Sequence, residues 1–322
     1  MNPIYKKKLI KYSIFLTFAL ALTRLAIDYH PGLSKEELLR KYQRSETKWI
    51  NINGLDVHYQ DEGSGPVVVL VHGTSASLHT WDKWTEELKK NYRVIRMDIP
   101  GFGFTGPTKE NNYKISFYTK WLEEFTRTLG VEKFFLAGNS LGGEITWRFA
   151  LDYPQRLNGM ILIDAAGFPK DSKRSMAYSL PHSALFRPLF LNFTPKYLVQ
   201  RALGFVYSDP TKISSELVEL YRNLFVRQGN REALLSRLSV IKPDHYKRIS
   251  TIKAPTLIMW GEDDRLTPLA WAHRFNNEIP NSKLHIFKNA AHMPMEEIPE
   301  RSVQVAKSFF QGQNPQASTD GL

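Results

Sequence analysis

Five short apolar runs constrain this chain more than any other feature: VVVLV (67–71), RVIRM (93–97), KFFLAG (133–138), MILID (160–164) and PTLIMWG (255–261). Each is apolar on both faces, as strands of a buried parallel sheet must be. Between them, residues 81–90, 116–129 and 141–153 carry helical spacing, and Pro154 stops the third. Strands alternating with helices in this way predict an α/β layer fold with a mostly parallel central sheet flanked by helices. Residues 48–60 add two short strands joined at Asn53-Gly54, a hairpin signal. KLHIF (283–287) supplies a last strand and residues 299–310 a last helix.

The alternation stops between Phe168 and Tyr246. No comparable apolar run occurs there, and helix-like pieces are separated by Pro181, Pro188, Pro195, Pro210 and Pro243. This predicts a helical cap inserted after the sixth strand. The expected division is therefore 1–48 as an N-terminal segment, 49–167 and 247–311 as the core, 168–246 as the cap and 312–322 as a disordered tail.

With 322 residues the chain can bury a large core, and with no Cys it has neither disulfide, thiolate metal site nor cysteine nucleophile. The formal charge of +11 is uneven, since residues 1–48 hold ten Lys/Arg against four Asp/Glu, a net of +6. No nucleic-acid module accompanies these cations, so nucleic acid is not expected as a partner. Lys6, Lys7, Lys8 and Lys11 precede the uncharged run Tyr12–Thr23, which Arg24 closes. Basic then apolar, this start reads as a membrane anchor with the body outside the cytoplasm, or as a signal segment removed to leave a secreted or periplasmic body. A helix packed on the body is the plainer alternative. Residues 34–48 read as a charged helical connector with a solvated face.

The chemistry centres on Gly138-Asn139-Ser140-Leu141-Gly142-Gly143, which follows an apolar strand and opens a helix. Such a strand-to-helix turn is so sharp that residues without bulk must flank it, and it lifts the Ser hydroxyl above the sheet while the Leu141 N–H points to the same place. The plain alternative is a Gly-rich turn with Ser140 as helix N-cap. A serine hydroxyl needs a base oriented by a carboxylate. Downstream, Gly261-Glu262-Asp263-Asp264 ends one strand and Ala291-His292-Met293 follows the last, so acid and base candidates fall on loops at strand ends.

Together with His72-Gly73-Thr74 and Asp98-Ile99-Pro100-Gly101-Phe102-Gly103, these pieces resemble the α/β-hydrolase superfamily over roughly residues 49–310, in its capped branch of esterases and lipases. The resemblance implies Ser140 as nucleophile, His292 as base and Asp264 as acid, with Asp263 and the strand-end Asp164 as competitors for the acid. It implies the N–H groups of Thr74 and Leu141 as oxyanion donors, and His72, Gly73, Gly138 and Gly142 as structural. The expected activity is hydrolysis of a carboxylic ester, lipid-like if the cap's Phe190, Phe193 and Tyr197, with Tyr178 and Leu180, line an acyl pocket. No metal or organic cofactor is expected. Carbon–carbon bond hydrolases share G-N-S-x-G-G, but their glycine-rich sequence after HG is replaced here by Thr74-Ser75-Ala76-Ser77. That class, a perhydrolase and a non-catalytic binding protein of the same fold remain as alternatives.

Overall fold

The computed structural model describes residues 3–169, 183, 185–240 and 245–313. Its centre is an eight-stranded sheet: β1 (Lys48–Ile52), β2 (Leu55–Glu62), β3 (Val67–Val71), β4 (Arg93–Met97), β5 (Phe134–Asn139), β6 (Leu157–Ile163), β7 (Thr256–Gly261) and β8 (Ser282–Phe287), in spatial order 1-2-4-3-5-6-7-8. β2 runs antiparallel to β1 and β4, and every other neighbouring pair is parallel. The hairpin is the one the sequence predicts, because Asn53 and Gly54 both take positive φ (51° and 82°), which a two-residue turn requires.

Successive side chains of the central strands feed opposite faces. Val69, Val71, Phe134 and Leu136 join one apolar cluster, with Trp121, Phe125 and Phe149 from the covering helices. Val68, Leu70, Phe135 and Ala137 join the other, with Trp81, Trp84 and Phe310. The covering helices are α2 (Asp82–Leu88), α3 (Ile115–Thr128), α4 (Leu141–Asp152), α9 (Leu269–Glu278), the short α10 (Pro294–Glu297) and α11 (Pro299–Gly312). β8 is the edge and alternates half-buried with exposed residues.

The cap helices α5 (Arg187–Asn192), α6 (Lys196–Val206), α7 (Ser215–Phe225) and α8 (Asn230–Leu238) stand between β6 and β7. Pro188 and Pro195 lie at helix starts, where a missing N–H costs nothing. Tyr178 and Leu180 lie outside the described residues, as does most of the expected tail; Gly312 ends α11 instead.

The N-terminal end corrects two expectations. A helix, αN (Pro3–Asp28), does form, but no helix of the described residues is long and apolar enough to cross a membrane. Its uncharged run, Tyr12–Thr23, extends only about 18 Å, well short of the roughly 30 Å of hydrocarbon. The spanning anchor is overturned, and with it the placement of the body outside the cytoplasm. The connector likewise is more than a solvated face. Its helix αC (Lys35–Tyr42) opens with a Ser34/Glu37 capping box and buries Leu38.

Candidate functional site

Ser140 sits between the last residue of β5 and the first of α4 with φ 54° and ψ −112°. For a residue with a side chain this costs on the order of 1–3 kcal/mol, and the surroundings hold it there. The Ser140 N–H donates to Ile163 O (3.0 Å), and its carbonyl accepts the N–H groups of Glu144 and Ala166 (both 3.0 Å). Its side chain does not cap α4, which removes the N-cap reading. The turn is tight enough that a Cβ on Gly142 would run into the Val71 carbonyl, and one on Gly138 into the Gly142 carbonyl. Both positions require glycine.

The loops after β7 and β8 bring Asp264 and His292 together, with Nδ1 of the ring 2.8 Å from Asp264 Oδ2. A carboxylate only accepts, so Nδ1 carries the hydrogen and Nε2 keeps its lone pair. Asp264 also accepts the N–H groups of Leu266 (2.7 Å) and Thr267 (3.1 Å) and the Thr267 hydroxyl. Burial works against its charge, but the hydrogen bond and proximity of His292, then the Thr267 and Leu266 donors, hold the carboxyl below the usual range. The backbone of His292 is pinned at both ends. Its N–H donates to Val206 O at the end of α6 (3.0 Å), and its carbonyl accepts Asn139 Nδ2 (2.9 Å).

Neither the Thr74 nor the Leu141 N–H is committed to a backbone carbonyl among the described residues, and Thr74 is exposed beside Ser140. His72, fully buried, is a strut. Its Nε2 accepts the Ile99 N–H (3.0 Å), so Nδ1 donates to Gly73 O (2.7 Å), and burial lowers its pKa, keeping the ring neutral. Gly73 packs so closely that an added Cβ would lie 2.8 Å from Asn139 Oδ1. Asp263 turns away to accept the Ser208 hydroxyl in the cap. Asp164 is close: it, Asp264 and His292 offer atoms all within 4.8 Å of one another.

Several supports have a role that no spacing along the sequence discloses. Asn139 is the variable position of the elbow, yet it ties the base loop to β5. Glu297 accepts the Ala291 N–H (2.9 Å) and the Asp209 N–H (2.8 Å), joining the base loop to the cap. Half-buried Glu296 accepts hydroxyls from Thr80 in the core and from Tyr207 and Tyr221 in the cap. Nothing in the spacing of two adjacent glutamates distinguishes such struts from a solvated helix start.

Ser140 and His292 line one cavity of about 370 Å³ with Gly73, Thr74 and Asn139. The cap supplies most of its wall, including Phe190, Phe193, Leu198, Val206, Tyr221 and Phe225. Tyr197, expected in the same wall, is instead exposed and lies outside it.

An eight-stranded, mostly parallel sheet with a serine at the β5–α4 elbow and a cap after β6 defines an α/β hydrolase. A family model described as alpha/beta hydrolase fold matches residues 66–299, and the chain belongs to that family. It is 30% identical over 284 residues to a 2-hydroxy-6-oxononadienedioate/2-hydroxy-6-oxononatrienedioate hydrolase of Paraburkholderia phymatum, covering 83% of this chain and 96% of that protein. Among solved structures it is similar to a meta-cleavage product hydrolase from Pseudomonas fluorescens, with 26% identity, a TM-score of 0.72 and coverage of 83% and 98%. It is also similar to a thermophilic esterase from Thermogutta terrifontis, with 25% identity, a TM-score of 0.71 and coverage of 84% and 99%.

Proposed function

We propose that the protein is a serine hydrolase in which Ser140 attacks a carbonyl carbon, His292 takes and returns the proton, and Asp264 holds the ring. The Ser140 proton passes to His292 Nε2 as the Oγ–carbon bond forms. The resulting oxyanion accepts the Thr74 and Leu141 N–H groups. Collapse expels the leaving group with the proton from His292, and water then repeats the sequence to free the acyl group. The preferred substrate is a carboxylic ester with an apolar acyl chain. The observation that carries this choice is the cavity wall: it is mostly apolar and, among the described residues, holds no Lys or Arg.

Carbon–carbon bond hydrolysis is the second reading, and the named relatives support it more directly than they support an ester. The same site would release a carbon leaving group, with His292 delivering the proton to carbon. A dienedioate, the substrate in the Paraburkholderia relative's name, carries two carboxylates, for which a cation in the cavity would be the natural partner. Thr74-Ser75-Ala76-Ser77 in place of the glycine-rich sequence of the carbon–carbon hydrolases also speaks for the ester.

The test is fluorophosphonate labelling of the full chain, followed by turnover of para-nitrophenyl esters of graded length and of a 2-hydroxy-6-oxo-dienoate followed by its absorbance. Labelling and ester turnover should both vanish in Ser140→Ala, with kcat reduced by about 10⁴-fold or more. Esters of medium or long chains should exceed acetate. Dienoate turnover without ester turnover would replace the ester reading by the carbon–carbon one, and wild-type protein that does not label would overturn both.

A further inference from the structure

Asp164 closes β6 and is fully buried, with φ 44° in the left-handed region. One carboxyl oxygen accepts the Gly261 N–H (2.9 Å), while the other, Oδ2, has no hydrogen-bond partner among the described residues. The Thr267 hydroxyl, which donates to Asp264, lies 3.2 Å from the Asp164 carbonyl oxygen. Asp164, Asp264 and His292 thus form one cluster in which each offers a polar atom within 4.8 Å of those of the other two. Two carboxylates so close and so dry cannot both ionise.

The donors decide which one does. Asp264 is served by two N–H groups, a hydroxyl and the imidazole, whereas Asp164 has a single N–H. The charge therefore resides on Asp264, and a proton on Asp164 Oδ2 would turn an orphaned acceptor into a donor facing that charge. We propose that Asp164 and Asp264 form a buried carboxyl pair sharing one negative charge, with Asp164 the neutral member and a positioning residue behind His292. The titratable groups facing it are Asp264, His292 and Glu297, and burial followed by the Asp264 charge pushes its carboxyl well above the usual range. If Asp264 is removed, Asp164 releases its proton to solvent, ionises and becomes the partner of the ring. This second statement rests on the hydrolase reading; the first does not.

Two measurements on the full chain separate them. At neutral pH, the infrared difference spectrum of wild type against Asp164→Asn should contain the carbonyl stretch of a protonated carboxyl, and the same band should be missing from Asp264→Ala. In ester turnover, Asp164→Asn should cost on the order of tenfold or less and leave the acidic limb of kcat/KM where it is. Asp264→Ala should lose about 10- to 100-fold, and the double variant about 10⁴-fold, the scale of losing a triad carboxylate altogether. A difference spectrum with carboxylate stretches alone overturns the proposal. So does an acidic limb that moves to lower pH in Asp164→Asn, or a double variant no worse than Asp264→Ala. A band present in a protein without Ser140-dependent turnover would leave the carboxyl pair standing and remove the hydrolase reading.

Discussion

At the scale of single residues, the densest knot outside the site is Asp98. Its two oxygens accept the N–H groups of Leu78 (2.7 Å) and Phe104 (2.7 Å) and His58 Nδ1 (2.8 Å), so one carboxylate stitches the segments after β3 and β4 to β2. Burial opposes its charge, but the facing His58 and their hydrogen bond hold the carboxyl at about 2, against an ordinary 3.8. Because the folded value is the lower one, this stabilisation is complete above about pH 4 and is lost as pH falls towards 2. The difference is worth roughly 2 kcal/mol. Urea midpoints of wild type should therefore drop between pH 4 and 2, and Asp98→Asn should lack that part of the decline. At neutral pH Asp98→Asn should cost about 3–5 kcal/mol, because it removes the charge facing His58 and puts an NH2 donor where one of the two acceptor oxygens stood. A loss below about 1 kcal/mol would mean that the pair does not hold these loops.

At the scale of elements, the elbow is a strand and a helix forced nearly into contact. The Ser140 backbone strain is held by three hydrogen bonds across β5, β6 and α4, and the glycines allow the approach. Gly142→Ala should consequently do more than the usual helix propensity suggests. Alanine favours a helix by about 1 kcal/mol over glycine, yet here its methyl would press on the carbonyls of Val71, which ends β3, and of His72. The expected outcome is a net loss of roughly 1–3 kcal/mol or more, with reduced fluorophosphonate reactivity as Ser140 shifts. Thermal denaturation reads the first and labelling rate the second; a stabilised Gly142→Ala would contradict the packing.

At the scale of the molecule, the N-terminal segment is a strap across the cap. The His30 N–H donates to Asn192 O (2.7 Å), the Leu33 N–H to Val226 O (3.0 Å) and the Gln228 N–H to Leu33 O (2.9 Å). Arg231 reaches the His30 carbonyl (2.7 Å). Leu38 then packs with Phe104 of the core and Leu224 of α7, so one helix braces the cap against the sheet. On the far side, Glu296 and Glu297 perform the same bracing from the base loop. Leu38→Ala should cost about 2–4 kcal/mol and make the strap near residues 29–34 the first site of limited proteolysis. Unchanged proteolysis would mean that the backbone bonds alone hold the strap.

The sequence by itself determined the strands, the hairpin, the elbow and the α/β-hydrolase fold, because each is written in local pattern: short runs apolar on both faces, Asn-Gly at a turn, glycines where backbones touch. Its preference for Asp264 over Asp263 came only from a family pattern, since adjacent loop residues differ in direction rather than in type. What tertiary structure alone decided is what lies across the chain from what. The uncharged run at the N-terminus reads as an anchor, whereas the stretch after it is bonded across the cap at His30 and Leu33, and the charged connector hides its one buried leucine. Asp164 reads as a strand end, and only the pairing of β6 with β7 sets it beside Asp264. Burial and proximity, which fix where a proton resides, are properties of the assembled fold, and no spacing along the chain contains them.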